Sequence, residues 1–173
     1  MSQQTESMMK TITLNKIVLN MGVGKSGDAI EVAKLALDQI SGKKSCAREA
    51  KETQRDWGVR KGEPIGVAVT IRGENATALL KRLFEAKGNK INGSSFDDFG
   101  NVSFGIKEYI DIPGTKYDPK IGILGLDVAV TLARPGFNIR FRSRHKAKIG
   151  KTHRISREEA QEFLTRKFGV EIV

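Results

Sequence analysis

The chain has 173 residues, with 30 Lys and Arg against 20 Asp and Glu and a formal net charge of +10. The length suits one domain with its own core, the single cysteine excludes an internal disulfide, and no apolar run is long enough for a membrane helix. Because the polar residues 1–9 lack an apolar signal core, we expect a frayed N-terminus and a cytoplasmic protein. The charge favours a polyanionic partner, most commonly nucleic acid.

Spacing of the apolar residues predicts the following elements in chain order: strand 16–21, helix 29–40, strand 44–47, loop 49–63, strand 65–71, helix 74–86, loop 87–101, strand 102–110, strand 126–133, helix 157–168 and a terminal strand over 170–173. Asp28 is the expected N-cap of the first helix, and Ser156 with Glu159 is the expected capping box of the last. The core stripe of the middle helix is expected to contain Ala78, Leu79, Leu80, Leu83 and Phe84.

Consecutive strands over 102–133, with no helix between them, argue against a regular βαβ alternation. They favour an α+β fold, a two-layer sandwich whose mainly antiparallel sheet carries helices on one face. We expect residues 1–173 to form a single domain. The alternation in strand 65–71 places Thr70 and Arg72 on the other face, which is either solvated or a platform for RNA.

Two segments hold the whole excess of positive over negative charge. Residues 42–61 carry seven basic and three acidic residues, and residues 134–154 carry eight basic and no acidic residues. The second segment is expected to be a basic extension, either a solvated arm kept open by its own repulsion or a segment that becomes ordered on rRNA. Apolar residues alternate with polar ones over 137–141, which predicts that part of the extension is a hairpin strand.

A glycine-rich stretch over 22–27 has the G-x-G-x-x-G spacing of a dinucleotide-binding turn and contains the Gly-Lys-Ser that ends a phosphate loop. A phosphate loop needs its first glycine at position 19, where the chain has Leu19. A dinucleotide site needs an acidic residue about twenty positions further on, where residues 43–47 are basic. We therefore expect a tight strand-to-helix turn that lets another backbone, such as that of RNA, come close.

Other polar clusters predict neither catalysis nor a metal or cofactor. His145 and His153 lie in a basic tract, far in sequence from Cys46, and local positive charge disfavours a cation. Asp97 and Asp98 lie in a loop where such residues typically form a turn. We therefore expect a protein that is not an enzyme.

Several segments together resemble a known family. The large-subunit ribosomal protein L-five family, the 5S rRNA binders, shows similar segments in the same order: KIVLNMGVG, ISGKKSCAREAKE, WGVRKGEPIGVAVTIRG, FGNVSFGIKEYIDIPG, GLDVAVTLARPGF and HRIS. The resemblance extends from about residue 10 to the end. The R-P-G-F sequence followed by a basic run is similar to the archaeal and eukaryotic branch, since bacterial members lack that run.

This resemblance implies a structural constituent of the large ribosomal subunit that works without a cofactor. It implies that the protein attaches 5S rRNA in the central protuberance and contacts large-subunit rRNA and neighbouring large-subunit proteins. It further implies contacts with P-site tRNA and a bridge to a small-subunit head protein, with no membrane partner. The loops near 98–101 and 112–118 are the candidates for the bridge.

The resemblance also implies which residues meet RNA. Contacts with 5S rRNA are expected at Lys16, Asn20, Gly22, Lys43, Lys44, Ser45, Arg48, Thr70 and Arg72. Contacts with tRNA are expected at Arg55, Trp57, Gly58, Arg60 and Lys61. Contacts of the extension with rRNA are expected at Arg134, Arg140, Arg142, Arg144, Lys146, Lys148, Lys151 and Arg154. Whether Trp57 stacks on a base or packs inward stays open.

Two other functions also stay open. A general RNA-binding module outside the ribosome would show little selectivity between 5S rRNA and unrelated RNA. A nucleotide-binding enzyme would be stabilised against heat by ATP or NAD.

Overall fold

The structure, a computed structural model, describes residues 7–24, 26–115, 119 and 121–173. Its strands are β1 (Thr13–Gly22), β2 (Cys46–Glu49), β3 (Pro64–Ile71), β4 (Lys90–Ile91), β5 (Val102–Ile106), β6 (Leu126–Ala133) and β7 (Glu171–Ile172). Its α-helices are α1 (Asp28–Ser41), α2 (Glu74–Ala86) and α3 (Arg157–Phe168). None of the described helices is long and apolar enough to cross a membrane.

Five strands form an antiparallel sheet in the order β2-β3-β1-β6-β5. The long β1 lies at its centre, where Ile17 is opposite Ile71 of β3 and Val130 of β6. The short strands β4 and β7 pair in parallel outside this sheet. The predicted α+β class with a mainly antiparallel sheet is therefore confirmed.

The hydrophobic core lies between the sheet and the three helices. Period-two alternation directs Ile17, Leu19 and Met21 of β1 into it, and the flanking strands contribute their own alternate residues. The ring of Phe84 in α2 stacks on Phe104 of β5 at 5.4 Å between centroids and meets Phe168 of α3 edge-on at 5.5 Å. These aromatic contacts join α2 and α3 to the same layer of the core.

The helix predictions are confirmed in extent and wrong in two details. Helix α3 has the predicted capping box, in which Ser156 Oγ accepts from the Glu159 N–H at 3.2 Å and the Ser156 N–H donates to Glu159 Oε2 at 3.0 Å. Asp28 is the first residue of α1 rather than its N-cap, a position that Gly27 occupies with a φ of 101°. In α2 the buried alanine is Ala76, whereas Ala78 is exposed.

Two strand predictions are also corrected, because short 3-10 turns replace them. The predicted hairpin strand over 137–141 is wrong, since Phe137–Arg140 forms a 3-10 turn after Gly136, whose φ of 90° redirects the chain. The strand predicted over 102–110 ends at Ile106, and another 3-10 turn follows at Tyr109–Asp111.

Some sequence predictions fall on residues that the structure does not describe. Residues 1–6 of the predicted frayed N-terminus lie outside the described residues, and Met8–Lys10 forms an exposed 3-10 turn. Lys25 of the glycine-rich stretch and residues 116–118 of a predicted bridge loop also lie outside them.

Candidate nucleic-acid interface

The face of the sheet that points away from the core carries small and polar side chains. One row across the strands consists of Cys46, Ala68, Asn20, Asp127 and Gly105. The next row consists of Thr70, Val18, Ala129 and Ser103. We call these two rows, together with Lys16, Gly22, Arg48, Gly66 and Thr131 beside them, the open face. Its short side chains leave a flat surface that an RNA backbone can approach closely.

Asn20 lies at the centre of the open face, opposite Ala68 on one side and Asp127 on the other. A shallow groove of 420 Å³ beside it is lined by Asn20, Asp127 and Ser103, among others. Sequence reasoning did not identify Asp127, although the alternation in LDVAVTLA was a signal that could have placed it on this face. A carboxylate only accepts hydrogen bonds, so Asp127 suits amino or hydroxyl groups of RNA rather than phosphate.

The connection between α1 and β2 presents two lysines at the edge of the sheet. Lys43 and Lys44 are exposed and follow Gly42, whose φ of 63° ends α1. The half-buried Ser45 is held by the helix, since its N–H donates to Asp38 Oδ1 at 2.7 Å. Ser45 thus positions the turn, and the lysine side chains are presented to solvent. At the end of β3, Arg72 is likewise exposed.

The loop over 50–63 between β2 and β3 projects an aromatic side chain. Trp57 is 79% exposed in the 3-10 turn Arg55–Trp57, so its ring does not pack on the core. Gly58, with a φ of 66°, turns the chain there, and Gln54 pairs with Val59 across the loop. The predicted cations of this loop, Arg55, Arg60 and Lys61, are all exposed.

The glycine-rich turn after β1 supports the base of this loop. The Ser26 hydroxyl donates to the Glu63 carboxylate, and this bond is the main cause that lowers the pKa of Glu63 below its ordinary value. The N–H groups of Val23 and Gly24 donate to the Ile65 carbonyl at 3.0 and 2.9 Å. Two amides that a phosphate loop would aim at a nucleotide are therefore used to hold the sheet together.

The basic segment 134–154 folds back on the end of the sheet. Arg134 is only 7% exposed, and its guanidinium donates to Glu159 Oε1 at 2.8 Å and to the Arg154 carbonyl at 3.1 Å. Nearby, His153 Nε2 lies 2.9 Å from the Pro135 carbonyl oxygen. Arg134 therefore ties the two ends of the segment together and is buried, unlike the other cations predicted to contact rRNA. The other predicted cations of the segment are exposed: Arg140, Arg142, Arg144, Lys146, Lys148, Lys151 and Arg154.

The two basic segments lie at opposite ends of β1. Ala133, where the second segment begins, pairs with Thr13, and Gly22 pairs with Gly66 beside the base of the loop that carries Trp57. A strand of 10 residues spans about 33 Å. The open face is thus bordered by cations at both ends, an arrangement that suits a long polyanion.

An α+β fold with a polar sheet face between two basic segments is typical of the RNA-binding class of proteins. Comparison with known families is more specific. Residues 7–60 match the family model described as ribosomal protein L5, and residues 64–171 match the model of the C-terminus of the ribosomal L5 family. The chain belongs to the ribosomal L5 family, as the resemblance predicted.

Individual relatives agree with this family over almost the whole chain. The large ribosomal subunit protein uL5 of Nitrosopumilus maritimus is 70% identical over 172 residues, which cover 99% of each chain. The protein of the same name from Cenarchaeum symbiosum is 70% identical over 95% of this chain and 98% of its own. That of Sulfurisphaera tokodaii is 51% identical over 98% of this chain and 97% of its own.

Proposed function

We propose that this protein is a structural constituent of the large ribosomal subunit in the cytoplasm and that it attaches 5S rRNA to that subunit. Membership of the ribosomal L5 family carries the proposal, and the relatives named as large-subunit proteins match along nearly their full length. The proposed role is binding rather than catalysis, so affinity comes from phosphate contacts and selectivity from a surface shaped before binding.

The open face and its edge support the proposed 5S rRNA contact. Lys43, Lys44 and Arg72 are exposed along the β2–β3 side and suit phosphates. Asn20 and Thr70 present an amide and a hydroxyl on the flat surface between them, where sugar and base edges can donate or accept. Because α1 and the sheet fix the backbone at each position, binding does not require this surface to fold first.

Binding of 5S rRNA, compared at moderate salt with a control RNA the size of a tRNA, tests this surface. We expect the wild-type protein to prefer 5S rRNA, and the double variant Thr70→Ala/Arg72→Ala to lose about 1–3 kcal/mol of that binding. The matched control is Lys81→Ala, which removes an exposed cation from α2 on the opposite side of the sheet. Equal affinity of the wild type for both RNAs would indicate a general RNA-binding module. An unaffected double variant would contradict the open face as the 5S surface.

We also propose that the loop over 50–63 contacts P-site tRNA. The support is geometric: Trp57 projects into solvent at a turn whose neighbours Arg55, Arg60 and Lys61 are exposed cations. An exposed indole stacks on unpaired bases, and the cations suit the adjacent phosphates.

Further contacts complete the proposal. The exposed cations of the basic segment suit the phosphates of large-subunit rRNA, and release of counterions would supply most of the binding affinity. Neighbouring large-subunit proteins are proposed to contact the chain beside this rRNA. The bridge to a small-subunit head protein is proposed at residues 112–115, the first part of one predicted bridge loop, and at the loop over 98–101, where Asp98 is exposed. Asp97 fixes that loop, since its Oδ1 accepts the N–H of Phe99 at 3.0 Å and that of Asn101 at 2.6 Å.

A further inference from the structure

A second concave surface lies between the basic segment and the adjacent end of the sheet. This groove has a volume of 810 Å³ and is lined by Lys16 of β1, Thr131 of β6 and the basic segment. Among the described residues, its charged lining is entirely basic: Lys16, Arg140, Lys146, Lys148 and Arg154. A concave site with cations and no carboxylate favours an anionic ligand.

Two exposed phenylalanine rings line the same groove. Phe141 is 66% exposed and Phe99 is 53% exposed, so neither is used to fill the core. An arginine lies over each ring, with Arg140 Cζ 5.7 Å from the Phe141 centroid and Arg154 Cζ 5.6 Å from the Phe99 centroid. Flat aromatic surface next to guanidinium groups is the combination that binds stacked, phosphate-bearing bases.

Hydrogen bonds fix the backbone of the groove walls. On one wall, the Asp97 carboxylate holds the loop that carries Phe99. On the other, the Ala147 N–H donates to the Ile139 carbonyl at 3.3 Å, which closes the turn that carries Phe141. The bond from Arg134 to the Arg154 carbonyl, 3.1 Å long, joins the ends of the basic segment. The backbone that carries the aromatic and basic residues is therefore fixed around one space before any ligand arrives.

We propose that this groove binds an unpaired RNA nucleotide, with the base stacked on Phe141 and the flanking phosphates on Lys146, Lys148 and Lys16. The inference rests on the proposed function of the chain as an rRNA-binding protein and adds a subsite that adjoins the open face and shares only Lys16 and Thr131 with it. A base in a duplex cannot expose its flat surface to a side chain, so the ligand must be a loop, bulge or single strand. An acidic peptide would satisfy the cations but would leave the aromatic rings exposed.

Fluorescence anisotropy with a labelled eight-nucleotide single-stranded RNA, on the full chain, tests the groove. We expect Phe141→Ala to weaken binding roughly 5- to 150-fold, the range for loss of one stacked base. Phe141→Tyr should retain the affinity because it keeps a flat ring, whereas Phe141→Leu should lose it although it keeps an apolar side chain. A side chain this exposed can be changed without disturbing the core, and thermal unfolding of each variant checks that.

Competition with unlabelled molecules shows whether the groove prefers single-stranded RNA to other anions. An RNA duplex of the same length and a poly-glutamate peptide should each compete much more weakly than the single strand. Equal competition by either, or wild-type affinity in Phe141→Leu, would overturn the proposal and leave an electrostatic surface only. The double variant Thr70→Ala/Arg72→Ala distinguishes failure of the groove proposal from failure of the open-face proposal. It should bind the oligonucleotide with wild-type affinity and bind 5S rRNA more weakly. If the wild type fails to prefer 5S rRNA, the open-face proposal fails. Binding of the oligonucleotide then remains an independent test of the groove.

Discussion

At the scale of single residues, a glycine on β3 lies where the neighbouring strand leaves no room for a side chain. A Cβ atom added at Gly66 would lie 2.9 Å from the Met21 carbonyl oxygen, closer than such atoms approach each other. Its cross-strand partner Gly22 has nothing within 4 Å of the same position. The two backbones are paired in the β1–β3 ladder, so neither can move aside without disturbing it.

Replacement of this glycine should therefore destabilise the fold. We expect Gly66→Ala to lower the free energy of unfolding in urea by about 1–3 kcal/mol, the usual cost of overpacking. Gly22→Ala, on the facing strand, is the matched control and should change it by less than about 1 kcal/mol. Equal effects of the two substitutions would contradict the assignment of a steric role to Gly66.

The exposure of Trp57 favours the proposed contact with tRNA over a structural role in the loop. Its ring is 79% exposed, so Trp57→Ala should leave thermal unfolding unchanged. In contrast, we expect it to weaken binding of tRNA by about 1–3 kcal/mol, while Trp57→Phe retains most of the affinity because a stacking surface remains. Binding of 5S rRNA serves as the internal control and should not change. A loss of stability without a loss of tRNA binding would show that the ring anchors the loop instead.

At the scale of elements, the N-terminus of α3 holds the basic segment in place. Glu159 accepts from the Ser156 N–H within the helix cap and also from Arg134, whose charge is buried. Burial raises the pKa of Glu159, but the bonds from Ser156 and Arg134 outweigh that effect, so its pKa lies below the ordinary value of 4.5. The unfolded chain then binds a proton more readily than the folded protein does.

This arrangement predicts the sign of a pH effect. The contribution of Glu159 to stability should be complete at pH values above 4.5 and should be lost as the pH falls through the lowered, folded pKa. Glu159→Gln should therefore be less stable than the wild type at neutral pH, and the difference should shrink in urea unfolding series at progressively lower pH. Glu158→Gln, an exposed neighbour on the same helix, is the control. A difference that stays constant down to about pH 3 would contradict this assignment.

Local sequence signals predicted these elements best where the fold depends on neighbours in the chain. The bounds of α2 and the capping box of α3 follow from helical spacing and from Ser156 and Glu159, which lie three residues apart. The segment over 137–141 was predicted wrongly because its alternation is local, whereas its conformation depends on Gly136 and on the bond between Arg134 and Glu159 across 25 residues. Contacts over such separations leave no periodic signal in the sequence.

For the candidate sites, too, local patterns in the sequence predicted some residues and not others. Alternation within β3 predicted the side on which Thr70 and Arg72 lie, but the roles of Asn20 and Lys43 came only from the family resemblance. No sequence pattern indicates that Phe99 and Phe141 line one groove, because strand β6 and the fold of the basic segment bring them together.

At the scale of the whole molecule, the two faces of the sheet have different roles: one forms the core, and the other is open to a partner. The sheet's buried face and the helices supply the core, and its open face lies between two basic segments at opposite ends of β1. We propose that RNA lies on the open face rather than on the helices. Electrostatics alone does not decide this, because exposed cations such as Lys81 on α2 also lie on the helical side.

The only cysteine of the chain allows a direct test. Cys46 is exposed and lies opposite Ala68 in the row that contains Asn20. A photo-crosslinker attached there should crosslink efficiently to bound 5S rRNA. In the matched variant Cys46→Ser/Lys81→Cys, the same reagent on the outer face of α2 should not crosslink. Equal crosslinking from both positions, or crosslinking from position 81 alone, would contradict the open face as the RNA surface.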